Sequence, residues 1–223
     1  MNFTPELLDS LFPNGLGGLI FDCDGVMFDT RACNIGYYNQ VLAELEMPPL
    51  SEQQEEVAHY SSVTGFYEAI VPKEKHHLIP EAQKKVNYIK TVLPLMTPEK
   101  GLYELLEAAV DHGLKLAVFT NRSNTMELVL EQHDMQDFFF PVMTAAKVEC
   151  KPHPEGALQI MKDWGETADR VAFIGDSIVD EEAAKRAGVL FWAYKSANLN
   201  GVHISDFTEV KQVLIEWLNN TSR

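Results

Sequence analysis

Short, continuously apolar runs alternate along this chain with stretches whose apolar residues recur every three to four positions. The runs are residues 17–21, 114–119, 138–143, 170–174 and 189–194. Each is too short and too unbroken for a half-exposed strand, and each predicts a strand of a parallel sheet covered on both faces. The helical stretches are residues 98–112, 123–133, 154–164 and 178–187, with a closing helix over 207–218 and a frayed tail over 219–223. Leu102, Leu105, Leu106 and Ala109 share one face of the first, with Gly113 just beyond its end. Gly188 follows the fourth as a left-handed stop. Strand–helix alternation from residue 98 onward predicts an α/β fold, a doubly wound parallel sheet.

Residues 30–96 break that rhythm. Helical patterns cover 31–47, 51–58, 64–71 and 73–93, and Pro48-Pro49 ends the first of them. Ser51 opens the second with the residue types of a capping box, Gln54 standing three positions on. No strand-like alternation is found there. The expected organisation is an α/β core made of residues 1–29 and 97–223, with a helical cap over 30–96 inserted after the first strand.

Composition alters this picture in one respect. Hydrophobic residues are 46% and charged residues 23% of the 223, ordinary for a globular chain. The balance of 18 Lys+Arg against 33 Asp+Glu leaves a net charge of −15. Such a surface repels polyanions at long range, so neither nucleic acid nor an anionic membrane is an expected partner. No apolar run approaches the roughly 20 residues of a membrane span. Residues 1–10 lack the basic start and apolar core of a signal peptide. Cys23, Cys33 and Cys150 fit neither a CxxC nor a zinc-ligand spacing and read as free thiols of a reducing compartment. The expected location is the cytoplasm.

Unusual polar clusters stand where the strands end, and ligands of open α/β sheets bind beyond the carboxyl ends of the strands. The first run ends Asp22-Cys23-Asp24-Gly25-Val26, the second Thr120-Asn121-Arg122, the fourth Gly175-Asp176-Ser177 with Asp180 following. Lys151-Pro152-His153-Pro154 precedes the helix leading to the fourth run. Carboxylates converging in one crevice repel one another unless a cation joins them. Oxygen ligands at this density suit Mg2+, which shares its shell with waters and phosphate. A carboxylate beside the metal can attack phosphorus, and a second acid two residues on can protonate the leaving oxygen. Lysine, a hydroxyl and helix-start N–H groups supply charge and donors for phosphoryl oxygens.

These four clusters, in this order, resemble the motifs of the haloacid dehalogenase superfamily: DxDGV at Asp22–Val26, the strand-ending Thr120, KPxP at Lys151–Pro154 and GDSxxD at Gly175–Asp180. The helical segment is similar to the cap of the phosphoglycolate phosphatase and β-phosphoglucomutase branch. The resemblance implies a Rossmann-like core and a Mg2+-dependent phosphatase that hydrolyses a small phosphorylated metabolite through an aspartyl-phosphate. It implies Asp22 as nucleophile and metal ligand, Asp24 as acid/base and backbone-carbonyl metal ligand, and Asp176 as the third ligand. Thr120 and Lys151 would hold the phosphoryl group, Asn121 would face substrate, and Asp180 would orient Lys151 or the metal's waters. Retention of Asp24 speaks against haloacid dehalogenation. Two alternatives remain open: a β-phosphoglucomutase-like mutase and a catalytically inactive relative that binds a partner. Arg31 is the only arginine of residues 30–96, and the arrangement of basic cap residues with which the family's mutases hold a second phosphate is not found there, so hydrolysis is preferred. Monomer and homodimer are equally open.

Plainer readings apply to other residues. Arg122 reads at least as well as a solvent-facing helix start. Cys23, between two acids, reads as a small packed residue with a disfavoured thiolate. His76-His77 reads as a surface feature, His153 as structural, and residues 138–140 (Phe-Phe-Phe) as strand core. Substrate contacts are expected near Arg31, Tyr37, Tyr38, His59, Tyr60 and Thr64.

Overall fold

The computed structural model describes residues 3–221, the side chains of His59 and Thr221 excepted. In chain order the strands are β1 (Gly18–Phe21), β2 (Phe28–Asp29), β3 (Thr97–Pro98), β4 (Lys115–Phe119), β5 (Val142–Met143), β6 (Val171–Gly175), β7 (Leu190–Tyr194) and β8 (Val202–Ile204). The first helices are α1 (Pro5–Leu11), α2 (Arg31–Glu44), α3 (Glu52–Tyr60), α4 (Val63–Ile70), α5 (Ile79–Val86) and α6 (Tyr88–Thr91). After β3 follow α7 (Leu102–Asp111), α8 (Met126–Gln132), α9 (Glu155–Trp164), α10 (Ile178–Ala187) and α11 (Phe207–Thr221).

Six strands form one parallel sheet in the order β5-β4-β1-β6-β7-β8. Counting only these six, the chain winds outward one way and then the other from β1, the doubly wound arrangement. The order reverses between β1 and β6, and a crevice opens at their carboxyl ends.

Alternating side chains explain the unbroken apolarity of the strands. Leu19, Phe21, Val118, Ile174 and Trp192 pack on one face with Leu105, Leu106, Met126, Val210 and Leu214. Ile20, Phe119, Phe173 and Phe191 pack on the other face with Ala157, Ile160, Ala183 and Ala184. Both faces are therefore interior, and no polar alternation survives in the sequence.

β2 and β3 form a two-residue antiparallel ribbon, Phe28 opposite Pro98 and Asp29 opposite Thr97. Between them runs the helical segment, where α2 packs on α3 and α5. Its apolar residues Tyr38, Val41, Leu42 and Phe66 belong to the same buried cluster as Leu105 and Trp192. Ser51 and Gln54 close the expected capping box at the start of α3.

Several elements differ from the sequence expectation. The 138–143 run yields a strand only at Val142–Met143; Phe139 is buried, whereas Phe140 is 73% exposed. Pro141 lies inside that run and has no N–H for a ladder. The 98–112 pattern starts as a helix only at Leu102, because Thr97 and Pro98 pair with β2. The 73–93 pattern breaks at Asn87, whose φ of 52° is left-handed. The 123–133 pattern forms a helix only over Met126–Gln132. α11 runs on to Thr221, so most of the expected fraying is absent; Ser222 and Arg223 lie outside the described residues. No helix among the described residues is long and apolar enough to cross a membrane.

Candidate active site

Asp22 follows β1 directly, and its backbone N–H donates to Ile174 O of β6 at 2.9 Å. The sheet thus carries this side chain to the reversal point. Lys151 arrives from the loop before α9 and is 4% exposed. Its ammonium lies 2.7 Å from Asp22 Oδ1 and 2.6 Å from Asp180 Oδ1. It also sits 5.6 Å and 5.7 Å from the ring centres of Phe119 and Phe173, which shield it from water.

Asp180 is wholly buried in the first turn of α10. With Ser177 it forms a capping box, its Oδ2 accepting from Ser177 Oγ at 2.5 Å and Ser177 N at 3.1 Å. Both its oxygens are therefore committed to this chain's own donors, Oδ1 to Lys151. Carboxylate oxygens of Asp22, Asp176 and Asp180 lie within 4.8 Å of one another. Asp176 reaches this position past Gly25, whose φ is +78°; a Cβ there would stand 2.0 Å from Asp176 Oδ2. The turn between Asp24 and Val26 thus needs a residue without a side chain, on conformational and steric grounds together.

This donor set is all carboxylate oxygen, suited to a hard divalent cation. Since Asp180 is saturated, Asp22 and Asp176 are the side chains available to hold one. Burial pushes the Asp22 carboxyl up to about 8; Lys151 pulls against that, while Asp180 and Asp176 push with it. Lys151 itself is driven above its ordinary range because Asp180 and Asp22 outweigh the effect of burial.

Asp24 lies outside this acidic cluster. Its Oδ2 accepts from Arg122 Nε at 2.7 Å, and its Oδ1 from Arg122 Nη2 at 2.6 Å, Thr30 Oγ1 at 2.5 Å and Asn34 Nδ2 at 2.9 Å. Burial alone would raise this carboxyl, but the Arg122 charge and these hydrogen bonds hold it at about 2. Arg122 is consequently no solvent-facing helix start; it is buried against Asp24, with Tyr88 beneath its guanidinium. Local sequence carried no sign of this, because the partner stands 98 residues away.

Thr120 follows β4 and is buried. Its backbone N–H is used by Met143 O, and its Oγ1 accepts from Arg122 N, which leaves the hydroxyl proton to donate. Asn121 braces the Lys151 loop: its Oδ1 accepts from Lys151 N at 2.8 Å, and its Nδ2 donates to Lys151 O and Tyr60 O, both at 3.2 Å. Cys23 is fully buried, and burial pushes its thiol up, as its packing role requires.

A cavity of about 340 Å3 opens over these groups. Asp22, Asp24, Thr120, Asn121, Arg122 and Lys151 line its floor; Tyr37, Tyr38, Tyr60 and Thr64 line its far wall. Arg31 is not among the lining residues and pairs instead with Glu56 on the surface. The side chain of His59 lies outside the described residues.

Residues 19–194 match the model of the haloacid dehalogenase-like hydrolases. A phosphoglycolate phosphatase from Caulobacter vibrioides is 26% identical over 179 residues, covering 77% of this chain and 76% of that protein. A haloacid dehalogenase superfamily hydrolase of Geobacter sulfurreducens, known as a crystal structure, is 32% identical with a TM-score of 0.75, covering 89% of this chain and 99% of that one. A β-phosphoglucomutase structure from Clostridium difficile shares the fold at 19% identity, with a TM-score of 0.74 and coverage of 93% and 99%.

Proposed function

The chain belongs to the haloacid dehalogenase-like hydrolase family, and from that premise we propose that it is a phosphatase that hydrolyses a small phosphomonoester through an aspartyl-phosphate on Asp22. The observation that carries the reading is the meeting of Asp22, Lys151 and Asp176 at the sheet's reversal point, with Thr120 lining the same cavity as Asp22 and Lys151.

In this reading Asp22, Asp176 and the backbone carbonyl of Asp24 would hold Mg2+, which would neutralise phosphoryl charge and keep Asp22 ionised. Lys151 and the Thr120 hydroxyl bind phosphoryl oxygens. Asp22 attacks phosphorus as the bond to the ester oxygen breaks, and Asp24, which must first leave Arg122 and take up a proton from solvent, gives that oxygen its proton. A water then attacks the acyl phosphate, yields a proton to Asp24, and releases inorganic phosphate and free Asp22. Asp180 fixes Lys151, and Asn121 fixes the loop that carries it. Residues 30–96 act as a cap whose wall contacts the organic part of the substrate and excludes water.

Hydrolysis is favoured over a mutase because, among the described residues, the far wall offers tyrosines and neutral polar groups and no cation for a second phosphate. The test is phosphate release from aryl and alkyl phosphates with Mg2+. Wild type should turn over, and Asp22→Asn should lose at least about 10³-fold in kcat while keeping its melting temperature within a few degrees. Substantial turnover by Asp22→Asn removes Asp22 as nucleophile, and isomerised sugar phosphate in place of released phosphate restores the mutase.

A further inference from the structure

The main chain of Asp176 is tied on both sides. Its backbone N–H donates to Asp180 Oδ2 at 3.3 Å, and its carbonyl accepts from Ser196 Oγ at 2.7 Å. The first tie belongs to the capping box whose other carboxylate oxygen holds Lys151. The second comes from outside the site: Ser196 lies two residues past the end of β7 and does not line the cavity. An aspartate carboxylate carbon is only two bonds from its Cα, so the peptides on either side fix where it can point.

Ser196 reaches that carbonyl because the chain turns at Lys195, whose φ of 51° is left-handed. A lysine has no intrinsic preference for that region and must be held there by its surroundings. Its N–H donates to Ile204 O of β8 at 2.9 Å, and its ammonium lies 2.6 Å from Glu99 Oε2. Tyr194, the residue before, donates its hydroxyl to the same oxygen at 3.0 Å and stacks on Phe207 with ring centres 4.5 Å apart. Glu99 stands just after β3, and its backbone N–H donates to Met27 O. One residue thus joins the two limbs by which the chain leaves for residues 30–96 and returns, and fastens both to the end of β7. The Glu99 side chain is 12% exposed and that of Lys195 is 50% exposed, so the pull of this pair on the turn is the modest one of a partly solvated ion pair.

We propose that Ser196 is a positioning residue for the metal ligand Asp176, and that Glu99, acting through Lys195, aims it. The assignment deepens the phosphatase reading, on whose metal site it rests. Without the Ser196 hydroxyl the Asp176 carbonyl loses its donor, the peptide between residues 176 and 177 can turn, and the carboxylate meets a cation less squarely. Groups that orient a metal ligand from outside the coordination shell typically change affinity by about 10- to 100-fold. By reciprocity a cation seated on Asp176 tightens the Ser196 tie and with it the limb that carries Glu99.

The experiment titrates Mg2+ calorimetrically into wild type, Ser196→Ala, Ser196→Thr, Glu99→Gln, the Ser196→Ala/Glu99→Gln double variant and Asp176→Asn, each checked for folding by its melt in chelator. Ser196→Ala should weaken Mg2+ binding by about 10-fold, and Ser196→Thr, which keeps the hydroxyl, should restore most of the loss. Glu99→Gln should weaken binding by about 2- to 5-fold and should add nothing in the Ser196→Ala background, because both act along one route. Wild-type affinity in Ser196→Ala, or an equal loss in the Ala and Thr variants, overturns the inference. So does a Glu99→Gln effect that survives undiminished without Ser196. Wild-type affinity in Glu99→Gln overturns it even if Ser196→Ala does not fold. Weak binding in Asp176→Asn beside wild-type binding in Ser196→Ala removes the inference and leaves the metal reading standing; wild-type binding in Asp176→Asn removes both.

Discussion

Replacing Lys151 by methionine isolates the electrostatic problem at the centre of this protein. Methionine fits the slot between the Phe119 and Phe173 rings and makes favourable sulfur–aromatic contacts, so packing is largely kept. What disappears is the ammonium that lies 2.7 Å from Asp22 and 2.6 Å from Asp180, both little exposed. Breaking a buried ion pair by removing one partner costs roughly 3–5 kcal/mol. In a chain of this size each kcal/mol moves the melting temperature by about 2–4 °C, so the metal-free variant should melt about 6–20 °C below wild type. A divalent cation between Asp22 and Asp176 replaces part of the missing charge, and a ligand at 100 times its Kd adds about 2.7 kcal/mol. The Mg2+-induced rise in melting temperature should accordingly be larger in Lys151→Met than in wild type, where the ammonium competes with the metal. Calorimetry in chelator and in Mg2+ measures both quantities. A variant that melts with wild type in chelator, or gains no more from Mg2+ than wild type does, refutes the reasoning.

Two further outcomes follow from the same site. Burial raises Asp22 from 3.8 to about 8, so between roughly pH 4 and 8 the folded protein holds a proton that the unfolded chain has released. Metal-free stability due to Asp22 should be fully present near pH 4 and fall as pH climbs through 8; thermal melts across that window should show a slope that Mg2+ or Asp22→Asn flattens. Gly25→Ala forces a side chain into a φ of +78° and against Asp176 Oδ2. It should cost about 1–2 kcal/mol from the backbone alone and, because Asp176 must move, should weaken Mg2+ binding in calorimetric titration; unaltered metal affinity would show that Asp176 is not a ligand.

Strands β1, β4, β6 and β7 could be read from the sequence because burial on both faces leaves them continuously apolar, and their polar ends stood out by contrast. Asp22, Thr120 and Asp176 were legible for that reason: each is an ionic or hydroxyl residue at the end of a run that tolerates none, whereas Lys151 was legible from the Pro152 and Pro154 that fix its loop. The β2–β3 ribbon was not, since two residues carry no periodicity and its partners lie far apart in the chain. The Phe-Phe-Phe tract misled because apolar content alone does not report that Pro141 has no N–H for the ladder, which is regular only over Val142–Met143. Arg122 was the largest gap. A guanidinium one turn from a helix start looks solvated until folding brings Asp24 to it, and only the tertiary structure supplies that partner.

The β2–β3 ribbon has a further consequence for how such a protein can change over generations. Asp29 and Thr97 face each other across one ladder rung, so the chain leaves the sheet and returns to it at a single doorway. From the side of the sheet, everything between them is one closed excursion whose two ends meet about 5 Å apart. Closing a flexible excursion becomes only about 0.6 kcal/mol harder for each doubling of its length. Insertions and deletions within residues 30–96 therefore leave the sheet's boundary condition untouched. The cavity wall opposite Asp22 and Lys151 can drift in length and sequence while those two residues stay in register.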